Sequence, residues 1–522
     1  MERFFERLDG LAAIEGENRL ALWLDRAIFI FLVLTFVSAP HSIAATQISW
    51  LTGMFLWFIR LALRPRRPFT FGRLDAVLWA FFIWSAFTSV VSYAPDISID
   101  KLRGVAIFLI FYFAYYNLRS LKSVYFVAFA LIVSCMVNVA WTPVQRLIGR
   151  GVEIHGLSPA GPLAKAQLWE GDTLLEANGR KLKTPDDMTS VLSANETVKV
   201  KFYRPDFEFW VDVKRENLLS GTDAMQQLGV ERWNKSRNWR STGFYGHYTT
   251  YAEVLQLIGS LIFGLLIASL PLRRKKTDSD VAPASRTTQI LLFLAMAGTG
   301  VALLMTVTRA SQLAFVISAA LIVMVGAGRK WFFAAAGIAL PIALVGLLVL
   351  QQSRQVGFFD TNDDSIKWRQ TVWTEGYNLW TESPRNMMVG VGMDTIKRYA
   401  KDWHLFDDGR LPIGHFHSMP LQLLVERGIP ALILWVLILA VYARSLWRGL
   451  QRCYRDPSSD WRRVGILLGC LGGLLGIVSS GMVHYNMGDQ EVAMVFFLLM
   501  ALGMRVAQPH FDEPATAEIL LT

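Results

Sequence analysis

Two histidines stand at the end of a long polar segment, immediately before an apolar run. The local sequence reads His415-Phe-His417-Ser, and Glu426 and Gly428 follow within the apolar run. An imidazole ordinarily titrates near pH 6.5, so a histidine can accept the proton of an attacking hydroxyl group at neutral pH. We therefore predict that His417 is a general base, with His415 and Glu426 as candidate supporting groups.

Arginines lie at the ends of other apolar runs. Arg240 and His247 precede one such run, Arg309 lies between two runs, and Arg369 lies in the polar segment before the histidines. A guanidinium stays charged and donates paired hydrogen bonds to phosphate oxygens. Arg309 and Arg240 are therefore candidates for binding a phosphate-containing group such as a pyrophosphate, with His247 and Arg369 as candidate supporting residues. For Arg240, which follows several basic residues, a solvated basic patch is the alternative.

Other kinds of chemistry find little support in the sequence. The three cysteines, Cys135, Cys453 and Cys470, lie far apart, and there is no HExxH motif for an intramembrane metalloprotease. We predict no metal site and no cofactor. The net charge of +10 comes from short basic clusters between apolar runs, which does not favour nucleic-acid binding.

The composition indicates a membrane protein. Of the 522 residues, 53% are hydrophobic and only 18% are charged, against roughly 25% charged residues in soluble domains. A spanning helix needs about 20 mainly apolar residues, and such runs predict about twelve transmembrane helices. Their approximate centres are Leu34, Leu56, Phe82, Leu109, Val133, Leu261, Met296, Ala319, Ala343, Leu437, Leu474 and Leu498.

Basic residues follow every even-numbered span, which predicts that these connections and both chain termini are cytoplasmic. Two long segments then face the outside. The predicted division is an interfacial helix at 1–26, spans 1–5 at 27–142, a soluble insert at 150–217, spans 6–9 at 247–350, a large external loop at 351–418, spans 10–12 at 419–506 and a cytoplasmic tail at 507–522.

The insert has the composition of a small α+β domain. Gly156-Leu-Ser-Pro-Ala160, Gly171-Asp-Thr-Leu-Leu, the turn pair Asn178-Gly179 and Pro185-Asp-Asp-Met resemble the PDZ domain of bacterial envelope proteins. Segments 198–202 and 209–213 would be its closing strands. The resemblance implies a groove that captures an extended peptide or protein partner. The alternative is a spacer that shields the membrane portion.

The membrane portion resembles the O-antigen ligase superfamily. The resemblance rests on His417-Ser418 followed at fixed spacing by Gly428-Ile-Pro-Ala431, with Arg240-Ser-Thr-Gly-Phe-Tyr-Gly-His247, Thr306-Val-Thr-Arg309 and Trp368-Arg369 upstream in the superfamily's order. Ala431 departs from the pattern of the ligase branch. The implied fold is mainly α, a polytopic C-type membrane glycosyltransferase with the small insert.

The resemblance implies metal-independent transfer of a glycan from an undecaprenyl-pyrophosphate donor, at the periplasmic face of the bacterial inner membrane. The acceptor would be lipid A core in a ligase, a growing glycan in a polymerase, or a protein in an O-oligosaccharyltransferase. In another class, a transporter or flippase regulated by the PDZ-like insert also suits twelve spans. The sequence contains no convincing internal repeat of the kind that transporters usually have.

Overall fold

The structure is a computed structural model that describes residues 2–16, 18–63, 71–204, 207–237, 239–272, 284–337, 364–456 and 458–509. It is mainly helical and divides into two compact units. The first unit contains Met1–Val139 and Phe244–Thr522, and the second contains Ala140–Gly243. The predicted span centred at Ala343 and the basic connections at 64–70 and 273–283 lie outside the described residues.

The N-terminal part of the first unit consists of α-helices, and the seventh of them continues into the second unit. They are α1 (Glu2–Ala12), α2 (Arg19–Ser38), α3 (Ile43–Ala62), α4 (Arg73–Val90), α5 (Pro95–Val105), α6 (Leu109–Asn117) and α7 (Leu121–Ile148). A short 3-10 turn at Ala106–Phe108 joins α5 to α6.

As far as it is described, the C-terminal part of the first unit begins with three long helices. Further helices follow, of which three are short and the last three close the unit. The long helices are α11 (Tyr248–Ser269), α12 (Arg286–Met305) and α13 (Arg309–Gly326). After a further helical stretch at 329–337 come α14 (Asp364–Thr381), α15 (Pro384–Val389), α16 (Ile396–Tyr399), α17 (Phe406–Gly409), α18 (Met419–Arg455), α19 (Trp461–Gly481) and α20 (Gln490–Val506).

Eight described helices are long and apolar enough to cross a membrane, as expected of a polytopic membrane protein. They are α2, α4, α7, α11, α12, α13, α18 and α19, and each coincides with a predicted span. The other described predicted spans, centred at Leu56, Leu109 and Leu498, fall on α3, α6 and α20. Of these, α6 and α20 have only 9 and 17 residues.

Glycines allow α11 and α19 to pack backbone against backbone at the centre of the first unit. A Cβ atom at Gly264 would overlap the backbone of Gly469, and one at Gly465 would meet the backbone of Leu265. Small residues permit such close approach of helices in a membrane, where dispersion forces and packing replace the hydrophobic effect. Most of α11 is buried, which makes it the central helix of this unit.

The second unit is built on an antiparallel sheet. Its strands are β1 (Val152–Leu157), β2 (Thr173–Ala177), β3 (Arg180–Lys181), β4 (Thr197–Arg204), β5 (Phe207–Lys214) and β6 (Val230–Lys235), in the order β5-β4-β2-β1-β6 with β3 paired to β2. Short helices α8 (Pro162–Lys165), α9 (Pro185–Ala194) and α10 (Ala224–Leu228) connect them. The segments predicted as closing strands lie within β4 and β5.

Local sequence explains two features of this unit. Asn178 and Gly179 both have positive φ, as a tight turn between β2 and β3 requires. Thr184 caps α9 and forms a capping box with Asp187, while Pro185 takes the first helical position. The sheet extends to Lys235 through β6, beyond the 150–217 segment delimited from the sequence, because β6 pairs with β1 along its length, from Val152 opposite Lys235 to Leu157 opposite Val230.

Candidate functional site

A cavity of about 350 Å³ in the first unit is lined by two of the predicted site residues, His415 and Glu426, and its lining does not include His417. Its lining comes from α4, α5, the loop around Asp394, the loop that carries His415, both parts of α18 and the segment from Tyr485 into α20. One wall is polar and basic, and another is aromatic and aliphatic. The cavity can therefore accommodate a molecule with a charged end and an apolar end.

A break in α18 shapes the polar wall. Gly428 has φ +74° and ψ −179°, which interrupts the helix. Pro430 has no N–H, so it cannot donate to the carbonyl of Glu426. The carbonyls released in this way accept other hydrogen bonds: Val425 from the amide of Val391 at 2.8 Å, and Glu426 from the amide of Gly392 at 2.9 Å.

The loop at 390–392 reaches this break because glycines let the two backbones touch. A Cβ atom at Gly390 would overlap the backbone of Glu426, and one at Gly428 would overlap the carbonyl of Met388. Gly390 also has positive φ, at +74°. Gly390 and Gly428 thus have one shared role, which is to let the loop approach the broken helix, whereas a Cβ atom at Gly392 would overlap the side chain of Ser92.

The His415–His417 segment is held at its central residue. The amide of Phe416 donates to Gln422 Oε1 at 2.8 Å, and its carbonyl accepts from Trp373 Nε1 at 2.8 Å. The Phe416 ring is fully buried and stacks on Phe406 at 6.0 Å. Because both backbone groups and the ring of Phe416 are fixed, the positions of its two histidine neighbours are restricted.

The two histidine rings lie side by side. Their centroids are 4.0 Å apart, and the amide of His417 donates to His415 Nδ1 at 3.3 Å. Trp368, on α14, meets the ring of His417 edge-on at 4.5 Å. Two tryptophans of α14, Trp368 and Trp373, therefore contact the histidine segment.

Burial and neighbouring positive charge keep both histidines neutral. Burial is the main cause that lowers the pKa of His417 to about 2, and the charges of His415 and Arg369 lower it further. The pKa of His415 falls to about 4, again mainly through burial and then through the charge of Lys397. A neutral imidazole has the lone pair that a general base needs.

Glu426 supports this arrangement from inside α18. Its Oε1 atom accepts from Gln422 Nε2 at 2.8 Å and from the amide of Asp394 at 2.8 Å. Its Oε2 atom lies 3.7 Å from Arg427 Nη2. Glu426 thus connects the histidine segment, through Gln422, to the loop around Asp394. These contacts give Glu426 a positioning role next to the two histidines.

His247 and Arg369 also belong to the neighbourhood of His417, since their charges act on its pKa. His247 caps the N-terminus of α11, where its Nδ1 atom accepts from the amide of Thr249 at 3.3 Å. Arg369 is half-buried on α14, with its guanidinium 5.9 Å from the ring of Trp368.

Arg309 and Arg240 are placed differently from the other predicted residues. Arg309 is the first residue of α13 and is exposed. Within the described part of the chain, it is not among the charges that act most strongly on His415 or His417. Arg240 is half-buried and belongs to the second compact unit. The cavity lining contains neither of these two arginines.

Sequence reasoning missed several charged residues of the cavity. Lys101 Nζ and Lys397 Nζ both bind the carboxylate of Asp394, at 2.9 and 2.8 Å. Burial raises the pKa of Asp394, but the hydrogen bonds and charges of the two lysines outweigh burial and leave that pKa below its usual value. Arg427 also lines the cavity. Its charge within an apolar run is the sequence signal that could have identified Arg427.

A second missed group is the pair His484 and Glu253. His484 Nδ1 lies 2.9 Å from Glu253 Oε1, and both side chains are buried. The charge of His484 acts on both His415 and His417. Nearby, Thr250 donates to Asp489 Oδ2 at 2.7 Å, and burial is the main cause that raises the pKa of Asp489 to about 6.

One curated relative shares a limited stretch with this chain. It is the magnetosome formation protease MamE of Paramagnetospirillum magneticum (strain ATCC 700264 / AMB-1), which is 30% identical over 107 residues. The match covers 18% of this chain and 14% of the relative. The chain therefore spans only a small part of that relative's length.

A family model covers the central part of the site. Residues 291–436 match the model described as O-Antigen ligase. The matched range contains His417, Glu426 and Gly428 as well as Arg309 and Arg369. The match covers just over a quarter of the chain, and this part of the chain is similar to that family.

Proposed function

We propose that this protein is a metal-independent glycosyltransferase that moves a glycan from an undecaprenyl-pyrophosphate donor to an acceptor hydroxyl or amine. The acceptor oxygen or nitrogen forms a bond to the anomeric carbon, the bond from that carbon to the phosphate oxygen breaks, and the pyrophosphate leaves. The configuration at the anomeric carbon inverts. The observation that carries the proposal is the cavity between the histidine segment and the broken part of α18, which adjoins cations and an apolar wall.

His417 is the general base in this proposal. It accepts the proton of the acceptor group as the new bond forms. Burial and the neighbouring cations disfavour imidazolium at His417 and lower its pKa to about 2. A bound pyrophosphate brings negative charge to the same place, which favours imidazolium and raises the pKa towards the working range of a base. His415, Glu426, His247 and Arg369 support the site.

Arg309 and Arg240 remain part of the proposal as pyrophosphate-binding groups, on the strength of their place in the ordered motifs. The proposed topology has about twelve spans, with both termini cytoplasmic and the large loop and the insert periplasmic. It places the reaction at the periplasmic face of a bacterial inner membrane. Lipid A core, a growing glycan and a protein are the candidate acceptors.

The insert is proposed to be PDZ-like and to bind a peptide or protein partner. In the sheet as far as it is described, β6 pairs only with β1 and has a second, unpaired edge. An edge strand of this kind can accept an extended peptide as an additional strand. A partner held there would favour a protein acceptor or a regulatory protein.

The test uses the purified full-length protein with a lipid-linked glycan donor and a set of acceptors, in the presence of a chelator. Wild-type protein is expected to transfer glycan, and His417→Ala is expected to abolish transfer while the protein stays monodisperse. His404→Ala is the matched control, because His404 lies in the same loop segment and its side chain is 81% exposed. Equal transfer by both variants would remove His417 from the mechanism.

A transporter or flippase is the alternative of another class. Reconstituted vesicles distinguish the two functions, because a flippase moves the intact lipid-linked glycan across the bilayer without a change in its mass. Formation of a new glycan–acceptor bond, detected by mass spectrometry, supports the glycosyltransferase. Movement of the donor without any such product would support the alternative.

A further inference from the structure

Arg427 is a buried cation whose hydrogen-bonding capacity is poorly used. Its side chain is 4% exposed and lines the cavity. The distances are long: Nη1 to Ser85 Oγ is 3.5 Å, Nη2 to Tyr485 OH is 3.5 Å, and Nη2 to Glu426 Oε2 is 3.7 Å. Within the described residues, Nε has no hydrogen-bond partner. A guanidinium has five N–H donors, so Arg427 has donors left for a ligand.

A buried charge with so few good hydrogen bonds is costly, which is why such a group in a membrane protein usually has a functional role. Glu426 forms an ion pair with Arg427 at 3.7 Å but makes no close hydrogen bond to its guanidinium. Its Oε1 atom is already occupied by Gln422 and by the amide of Asp394, and its Oε2 atom makes no hydrogen bond within the described residues. The site around Arg427 therefore lacks a well-bonded anion.

The backbone of Arg427 is fixed beside the cavity. Trp84 Nε1 donates to the carbonyl of Arg427 at 2.9 Å, and this carbonyl is one of those near the break at Gly428. The guanidinium carbon lies 5.4 Å from the centre of the Phe81 ring. The backbone contact and the Phe81 ring thus keep the guanidinium beside the cavity, while its own hydrogen bonds stay long.

The rest of the cavity indicates what kind of anion fits. Lys101 and Lys397 share the single carboxylate of Asp394, which leaves positive charge beside the cavity. The other wall is formed by Phe108, Trp435, Ile438 and Phe497. This combination suits a phosphate-containing head group attached to an apolar chain.

We propose that Arg427 binds the phosphate groups of the lipid-linked donor. This inference rests on the proposed function and adds to it the residue that anchors the leaving group. The Tyr485 hydroxyl group touches Arg427, and the Tyr485 ring lies 5.6 Å from that of His415. Tyr485 thus lies between Arg427, where the anion binds, and the histidine segment, where the acceptor loses its proton.

The experiment measures binding of undecaprenyl pyrophosphate and of uncharged undecaprenol to the purified full-length protein. Arg427→Leu is expected to weaken pyrophosphate binding on the order of 10- to 100-fold and to leave undecaprenol binding unchanged, because charge-assisted hydrogen bonds are lost. Arg427→Lys retains the charge without the planar donor set and is expected to lie between wild type and Arg427→Leu. Arg448→Leu is the control, since Arg448 is an exposed residue of the same helix.

The double variant Glu426→Gln with Arg427→Met guards against misfolding, because it removes both charges together. A monodisperse double variant with weakened pyrophosphate binding supports the inference. Wild-type affinity for the pyrophosphate in every folded Arg427 variant would overturn it and leave the proposed function standing, provided that wild type transfers glycan. A wild-type protein that neither binds the pyrophosphate nor transfers glycan would overturn both.

Discussion

Gln422, one turn inside α18, accepts a hydrogen bond at 2.8 Å from the amide of Phe416, the loop residue between the two histidines. The same side chain donates to Glu426 at 2.8 Å. A single amide side chain thus connects Phe416, the neighbour of the residue proposed as the general base, to Glu426. Gln422 is a positioning residue, since it acts on the histidines through the backbone.

Replacing Gln422 by Leu is expected to lower kcat for glycan transfer on the order of 10- to 100-fold, because small displacements of a reacting group have large effects on rate. The free energy of unfolding should fall by about 1–3 kcal/mol, since buried polar partners are left unsatisfied. Steady-state kinetics and thermal unfolding in detergent measure these effects. Gln370→Leu is the control, on an exposed position of α14. Unaltered kcat in a folded Gln422→Leu variant would contradict this role.

Gly428→Ala is expected to destabilise the first unit. Alanine at φ +74° is strained, and its Cβ atom would overlap the carbonyl of Met388. The strain costs about 1–3 kcal/mol, and the steric overlap adds to it. Gly300→Ala, in the middle of α12 with nothing within 4 Å of the added atom, should instead be neutral or stabilising. Similar melting temperatures for the two variants would show that the break in α18 tolerates a side chain.

Acid should destabilise the protein partly through His417. The pKa of His417 is about 2 in the folded protein and 6.5 at its ordinary value, so the unfolded chain binds the proton that the folded protein excludes. Stability from this group is therefore complete above pH 6.5 and decreases as the pH falls towards the folded value. Between pH 7 and pH 5, wild type should lose about 1–2 kcal/mol more than His417→Asn. Denaturant unfolding at both pH values checks this, and parallel losses in the two proteins would contradict it.

The pairing of Gly151 with Ser236 defines the limits between which the insert can be deleted. Arg150 N donates to Ser236 O at 3.0 Å, and Ser236 N donates to Gly151 O at 3.3 Å, so the chain enters and leaves the sheet side by side. Deletion of 151–235 with a short linker is expected to leave a monodisperse protein that still transfers glycan but with altered acceptor choice or regulation. Size-exclusion chromatography and acceptor panels measure this.

Deletion of only 151–216 is the informative comparison, because it removes the partner strand β1 and leaves β6 without a paired edge. That variant should aggregate or express poorly. Loss of all transfer by a well-folded 151–235 deletion would instead make the insert part of the catalytic site.

The positions of the apolar helices could be read from the chain, because the length and hydropathy of a run are local properties that the bilayer selects directly. The same applies to the turn at Asn178–Gly179 and to the capped start of α9, where the residue types themselves determine the backbone. His417, Glu426 and Gly428 could be identified as a group because they lie in one short, ordered motif.

The composition of the cavity depended on contacts between distant segments. Lys101 and Lys397 meet at Asp394 although almost three hundred residues separate them, and no local pattern encodes that meeting. Arg427 became a candidate only when the structure showed its long hydrogen bonds and its place on the cavity wall. Arg309 and Arg240 were the cations predicted from the sequence, and Arg427 was not. Burial and the geometry of the neighbouring groups decide which cationic side chains can bind an anion. Both are set only when the chain folds.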